Sequence, residues 1–135
     1  MTLVDANVLL DIFTRDPKWL GWSLARLEDA SLQGPVLIND VIYAETSARY
    51  RDLGDFERAL MNVGVTIAPM PREALFLAGK AFLQYRAAGG GRTGVLSDFF
   101  IGAHAATLAI PVLTRDVRRY RSYFPTVQLI APTGD

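Results

Sequence analysis

Apolar and polar positions change their period repeatedly along the chain, and each change marks an element. Leu3 and Val4 make a short apolar run, and Thr2–Asp5 reads as a buried strand leading into a helix over Ala6–Phe13. Asp16-Pro17 has the form of a helix start, with Asp as the cap and Pro in the first turn. The helix it opens carries Leu20, Leu24 and Leu27 at helical spacing and stops at Gly34-Pro35. Val36–Ile38 is the second strand, and Asn39 or Asp40 caps a helix running to about Arg51. Gly54-Asp55 opens a short helix to Asn62 that sets Phe56, Leu60 and Met61 on one face. Val65–Ala68 is the third strand, and Pro71 starts a long amphipathic helix through Leu75, Ala78, Phe82 and Tyr85. Beyond a glycine-rich stretch, Ser97–Ala109 is helical and apolar nearly all round. Pro111–Thr114 is the fourth strand, an arginine-rich turn or helix follows, and Val127–Ile130 is the fifth.

Strands that alternate with helices need crossover connections, which make a parallel sheet covered by helices. The expected fold is one domain over residues 1–135, a three-layer α/β/α arrangement with about five parallel strands. No linker or repeat interrupts it. In such sheets ligands bind beyond the carboxyl ends of the strands, where the strand order reverses. The residues that immediately follow each strand therefore carry the functional question.

Composition narrows the chemistry. With no cysteine, a disulfide scaffold, a thiol nucleophile and a thiolate zinc site are excluded. A single histidine, His104, excludes a multi-histidine metal site. The first residues carry Asp5 and Asp11 within their apolar stretch and lack a basic flank, so they are not read as a signal peptide. No run approaches the roughly 18 apolar residues of a membrane span, and a cytoplasmic location without membrane contact is expected. The charge sums to zero, 14 basic against 14 acidic residues, which by itself argues against a strongly basic nucleic-acid surface. Its distribution says more: Arg115, Arg118, Arg119 and Arg121 crowd around Asp116, and arginine's planar fork suits phosphate. A solvated helix end is the plainer alternative.

Acids stand where a core is expected. Asp5 closes the first strand, Asn39 and Asp40 follow the second, and Asp116 lies just past the fourth. Glu45 shares a helical face with Val41 and Ile42, and no basic residue of its own helix is there to pair with it. Asp98 opens a helix that continues Phe99, Phe100, Ile101. Each has a structural alternative: Asp5, Asp40 and Asp98 as helix caps, Asp116 as an ion-pair partner of Arg115, Arg118 or Arg119. Several acids directed to one sheet edge point instead to a hard-cation site. Carboxylate ligation without thiols suits Mg2+ or Mn2+, whose usual catalytic work is phosphoryl chemistry.

Four segments together resemble a family. Leu3-Val4-Asp5-Ala6-Asn7-Val8-Leu9-Leu10 resembles the opening of PIN-domain ribonucleases, and Ala44-Glu45 their second acidic position. The run SDFFIGAHAATLAIPVLTRD from Ser97 to Asp116 resembles the third and fourth, and Tyr123-Phe124-Pro125 with Val127–Ile130 resembles the end of VapC-type toxins. The resemblance implies a Mg2+- or Mn2+-dependent endoribonuclease, the toxin half of a type II toxin–antitoxin pair. It places Asp5, Glu45, Asp98 and Asp116 in the acidic, metal-binding and catalytic set, with Asn7 and Thr114 as neutral hydrogen-bonding neighbours. Arg115, Arg118 and Arg119 are the candidate RNA contacts, and an antitoxin and a second copy of the chain the expected partners. Aromatics of the Trp19–Trp22 and Tyr43–Tyr50 segments are candidate walls for the antitoxin groove.

Other signals weigh less. Gly89–Gly94 lacks the Gly-Lys-[Ser/Thr] ending of a phosphate loop and follows a helix, so a flexible loop is expected, with Arg92 as its one candidate RNA contact. His104 is read as a packing or partner residue. A haloacid-dehalogenase-like phosphatase also places an acid after its first strand, but wants another two residues on, where Asn7 stands. A receiver-like or degenerate PIN module that binds without cleaving is the non-enzymatic alternative.

Overall fold

A computed structural model describes residues 1–91 and 96–133 of the chain. In chain order the elements are β1 (Thr2–Val4), α1 (Ala6–Phe13), α2 (Leu20–Gln33), β2 (Val36–Ile38), α3 (Asp40–Ser47) and α4 (Leu53–Val63). They continue with β3 (Thr66–Ile67), α5 (Arg72–Ala87), α6 (Leu96–Leu108), β4 (Val112–Leu113), α7 (Arg118–Tyr123) and β5 (Leu129–Ile130). The strands form one sheet in the order β3-β2-β1-β4-β5, and every neighbouring pair is parallel. This is the mixed α/β architecture that the alternation of periods predicts. The glycine-rich stretch is described only to Gly91, so the expected loop over Gly89–Gly94 and the contact proposed for Arg92 lie partly or wholly outside the described residues.

The central strand explains the order. Leu3 and Val4 are fully buried, as are Ile38, Val112 and Leu113 on the flanking strands. A strand covered on both faces reads as a continuous apolar run, and β1, β2 and β4 all do. Edge strand β3 exposes both of its residues. Local signals fix the helix ends. Asn39 caps α3 by accepting the Ile42 N–H at 3.0 Å, and Asp52 caps α4 by accepting the Gly54 N–H at 2.8 Å. Gly64 ends α4 at φ +80°, a left-handed conformation that favours glycine.

Several sequence expectations are corrected. Asp16 caps a turn rather than α2 itself: its carboxylate accepts the Lys18 and Trp19 N–H groups, both at 2.9 Å, and α2 starts at Leu20. α3 ends at Ser47, short of Arg51. On α4 Phe56 and Leu60 are buried but Met61 is 76% exposed. On α5 the buried stripe is Ala74, Ala78 and Ala81, with Leu75 outside it. Small residues take the inward face there because α5 packs closely on α6.

The α6 helix is buried nearly all round, and Gly102 marks its closest approach. A Cβ at Gly102 would stand 2.6 Å from Cε2 of Phe124, a ring that is itself buried. Gly102→Ala gains about 1 kcal/mol of helix propensity but adds an overpacking penalty of about 1–3 kcal/mol. A melting temperature a few degrees below wild type is expected, and an unchanged or higher value would show that Phe124 yields freely.

Candidate acidic site

The chain steps outward from β1 to β2 and β3, then returns past the centre to β4 and β5. The carboxyl ends of β1 and β4 therefore flank the point where strand order reverses, the place a ligand is expected. Asp5 directly follows β1 and Thr114 directly follows β4.

Asp5 is 5% exposed and uses both oxygens. Oδ1 accepts the Ala6 N–H at 2.7 Å, which caps α1. Oδ2 accepts from the Thr114 hydroxyl at 2.8 Å, the Tyr120 hydroxyl at 2.8 Å and the Asn7 amide at 3.4 Å. Burial pushes its carboxyl above the ordinary range, outweighing the donors, and the Asp116 charge adds to the rise. Asp5 is thus a helix cap and a member of the acidic cluster at once, two roles that the sequence sets against each other.

Asn7 and Thr114 lock this arrangement. The Asn7 amide nitrogen donates to Thr114 Oγ1 at 3.1 Å, while its oxygen accepts the Arg115 N–H at 3.1 Å, which fixes the amide's orientation. Thr114 Oγ1 also accepts the Asp116 N–H at 3.1 Å. The strand end after β4 is therefore stapled to the strand end after β1.

The other acids gather around this pair. Asp98 sits inside the first turn of α6 rather than at its cap. Burial, then the charges of Asp5, Asp116 and Glu45, push its carboxyl up to about 7, with Arg119 pulling the other way. Glu45 does not occupy the core-facing stripe read from its spacing; it is exposed on α3 beside buried Ile42 and Thr46. Its carboxyl is nonetheless desolvated and raised, helped by the Asp5 charge and opposed by a hydrogen bond from Ser97. Asp116 is exposed; its carboxylate accepts the Arg118 N–H at 3.3 Å. Among the described residues it forms no ion pair with the arginines around it.

The arginines divide. Arg115 forks onto buried Asp11, Nε to Oδ2 at 2.7 Å and Nη2 to Oδ1 at 2.9 Å, and lies over the Trp19 ring at 4.8 Å. With its guanidinium engaged by Asp11, this arrangement supports a structural role for Arg115. Arg119 is half-buried, with its guanidinium 5.3 Å from the Tyr85 ring centre. Arg118 is exposed. His104 is fully buried, with Asn39 donating to its Nδ1 at 3.1 Å, so it acts in packing and stands apart from the acids. The Trp19, Trp22, Tyr43 and Tyr50 rings are half-buried; the most exposed large apolar groups of α5 are Phe76 and Leu83.

Sequence reasoning missed Tyr120 and Asp11. Tyr120 is the one aromatic ring among Arg118, Arg119 and Arg121, an uncharged position within a basic run. Asp11 stands four residues after Asn7 within an apolar helix, where an acid requires a partner.

A divalent cation suits this donor set. It is all oxygen, its acids raise one another, and Arg119 is the cation that offsets Asp98. Among the described residues no three acidic or histidine side chains stand close enough to enclose a bare ion.

The family model of the PIN domain matches residues 2–124. No curated protein matches the sequence significantly. Among solved structures, a chain of VapBC2 from Rickettsia felis, bound to a promoter DNA fragment, aligns with TM-score 0.74 and 14% identity over 98% of each chain. VapBC-1 from nontypeable Haemophilus influenzae aligns with TM-score 0.70 and 16% identity over 96% of each chain. A toxin–antitoxin complex from Klebsiella pneumoniae aligns with TM-score 0.66 and 17% identity over the full length of both chains. At these identities the likeness is one of fold.

Proposed function

The chain belongs to the PIN-domain family, and from that premise we propose that it is a Mg2+- or Mn2+-dependent endoribonuclease, the toxin of a toxin–antitoxin pair. One observation carries the reading. The charges of Asp5, Asp116 and Glu45 all bear on Asp98, beside the carboxyl ends of β1 and β4 that Asp5 and Thr114 join. Such a cluster is repulsive without a cation, and its edge position is where a substrate arrives. RNA as substrate rests on the resemblance to VapC-type toxins, and a cytoplasmic location accompanies it. The similarity to chains of VapBC and toxin–antitoxin complexes supports a cognate antitoxin as partner. A second copy of the chain is the further partner proposed, with exposed Phe76 and Leu83 on α5 as apolar surface available to one.

When bound, a divalent cation lowers the pKa of water and offsets charge on the attacked phosphate. Hydrolysis adds water across the P–O3′ bond, so the fragments carry a 5′-phosphate and a 3′-hydroxyl. Asp5 would hold the cation, kept in place by Thr114 and Asn7. Asp98, Glu45 and Asp116 would complete the oxygen set through direct or water-mediated contact. Arg118 and Arg119 would hold the RNA backbone beside it. The test is product analysis with Mn2+: RNA fragments with 5′-phosphates, suppressed by EDTA, are expected. Phosphate released from a small ester would favour the phosphatase alternative, and no product at all a binding module.

The arginines make a separate prediction. Arg118→Ala and Arg119→Ala should each weaken RNA binding and reduce the slope of log K against log salt by about 0.7, the value for one contact to a single strand. Binding unchanged at every salt concentration would make this segment a solvated face.

A further inference from the structure

We infer that Tyr120 is a positioning residue for the site, fixing the Asp5 carboxylate so that its Oδ1 is the oxygen offered to a cation. The inference rests on the metal-dependent reading above. Tyr120 lies on α7, 1% exposed, and its hydroxyl donates to Asp5 Oδ2 at 2.8 Å. Thr114 donates to the same oxygen at 2.8 Å, and the Asn7 amide approaches at 3.4 Å. Two short donors occupy the two lone pairs of Oδ2, and a third stands behind them. Oδ1 takes only the Ala6 N–H, at 2.7 Å, and keeps one lone pair.

The hydroxyl has a fixed role in this. It meets Oδ2 as a donor, alongside the hydroxyl of Thr114. Tyr120 also ties α7 to the acids. Arg118 and Arg119 are its neighbours in the helix, so the same bond sets the distance between the basic segment and Asp5. Nothing in the acidic motif itself calls for a tyrosine there.

Tyr120→Phe keeps the buried ring and removes only the hydroxyl. Outer partners of metal ligands typically contribute about 10–100-fold to metal affinity. Titration of the RNA-free protein with Mn2+, followed by the electron-spin signal of free Mn2+, is expected to show affinity at least about tenfold below wild type. The Mn2+ concentration giving half-maximal cleavage should rise by the same factor, while kcat at saturating Mn2+ stays near wild type. A purely structural tyrosine predicts otherwise: a lower melting temperature with Mn2+ affinity within about twofold of wild type, and that result overturns the inference. A wild-type protein that binds no Mn2+ overturns the metal-dependent reading, and this inference with it.

Discussion

Asp98→Asn is expected to abolish RNA cleavage and, at the same time, to raise the melting temperature of the metal-free protein. The carboxyl is pushed up to about 7 by burial and by the Asp5, Asp116 and Glu45 charges, against about 3.9 in an unfolded chain. The folded state therefore holds an extra proton between those two values. Stability is greatest at low pH, falls as pH rises from about 4 to about 7, and stays low above. The amide is neutral throughout and escapes the loss. Asp98 is partly open to solvent, which screens the effect to about 1–2 kcal/mol at neutral pH, or several degrees. The excess of the variant over wild type should be widest at pH 8 and much smaller at pH 5, closing only near pH 4. Mn2+ should stabilise wild type more than the variant, because the cation relieves repulsion that the amide has already removed. Calorimetric melts at both pH values, with and without Mn2+, read all of this out. Lower stability at pH 8 together with retained cleavage would make Asp98 a helix-start residue and sink its catalytic role.

Asp98 is the better probe because Asp5 has two roles that substitution cannot separate. An amide at Asp5 can still accept the Ala6 N–H, but its nitrogen would face the Asn7 amide nitrogen as well as two hydroxyls. Loss of function in Asp5→Asn would therefore mix lost charge with disturbed hydrogen bonds at Oδ2. At Asp98 no such conflict is built into the helix turn.

Much of this was legible in order along the chain. β2 and α1 lie within the bounds that their apolar periods set, and the four strands after β1 stand where short apolar runs follow helices. Those signals are local and strong, since a strand buried on both faces admits almost only apolar residues. The acids were legible for the same reason: a carboxylate at the end of such a strand contradicts its surroundings. What periodicity could not resolve was depth. Glu45 shares spacing with Val41 and Ile42, yet the buried stripe of α3 runs through Ile42 and Thr46 and leaves Glu45 beside it. Leu75 fits the apolar period of α5, but the buried positions where α5 packs on α6 are Ala74, Ala78 and Ala81. Arg115 looked like its neighbours because its partner, Asp11, lies 104 positions earlier in the chain. Contacts of that span are set by the tertiary fold, and composition carries no trace of them.

The largest loss of stability is expected from Asp11→Ala. Asp11 is 3% exposed on α1 and accepts three bonds: Ser23 Oγ at 2.6 Å, Arg115 Nε at 2.7 Å and Arg115 Nη2 at 2.9 Å. Ser23 on α2 is fully buried, while the Arg115 side chain keeps 27% of its exposure. Removing the acid leaves a buried hydroxyl and a half-enclosed guanidinium without their partner. Breaking a buried pair in this way costs about 3–5 kcal/mol, and Arg115's access to water puts the expectation near about 3 kcal/mol. For a domain of this size that is about 10 °C of melting temperature. Asp11→Asn keeps an acceptor of the same shape and should lose less, about 1–2 kcal/mol. Urea denaturation of both variants measures the difference. Arg115→Ala completes the case: with its fork on Asp11, its loss should lower stability and leave the salt slope of RNA binding unchanged, unlike Arg118→Ala. If Asp11→Ala instead melts with wild type and Arg115→Ala flattens the salt slope, the guanidinium leaves Asp11 in solution and takes a phosphate.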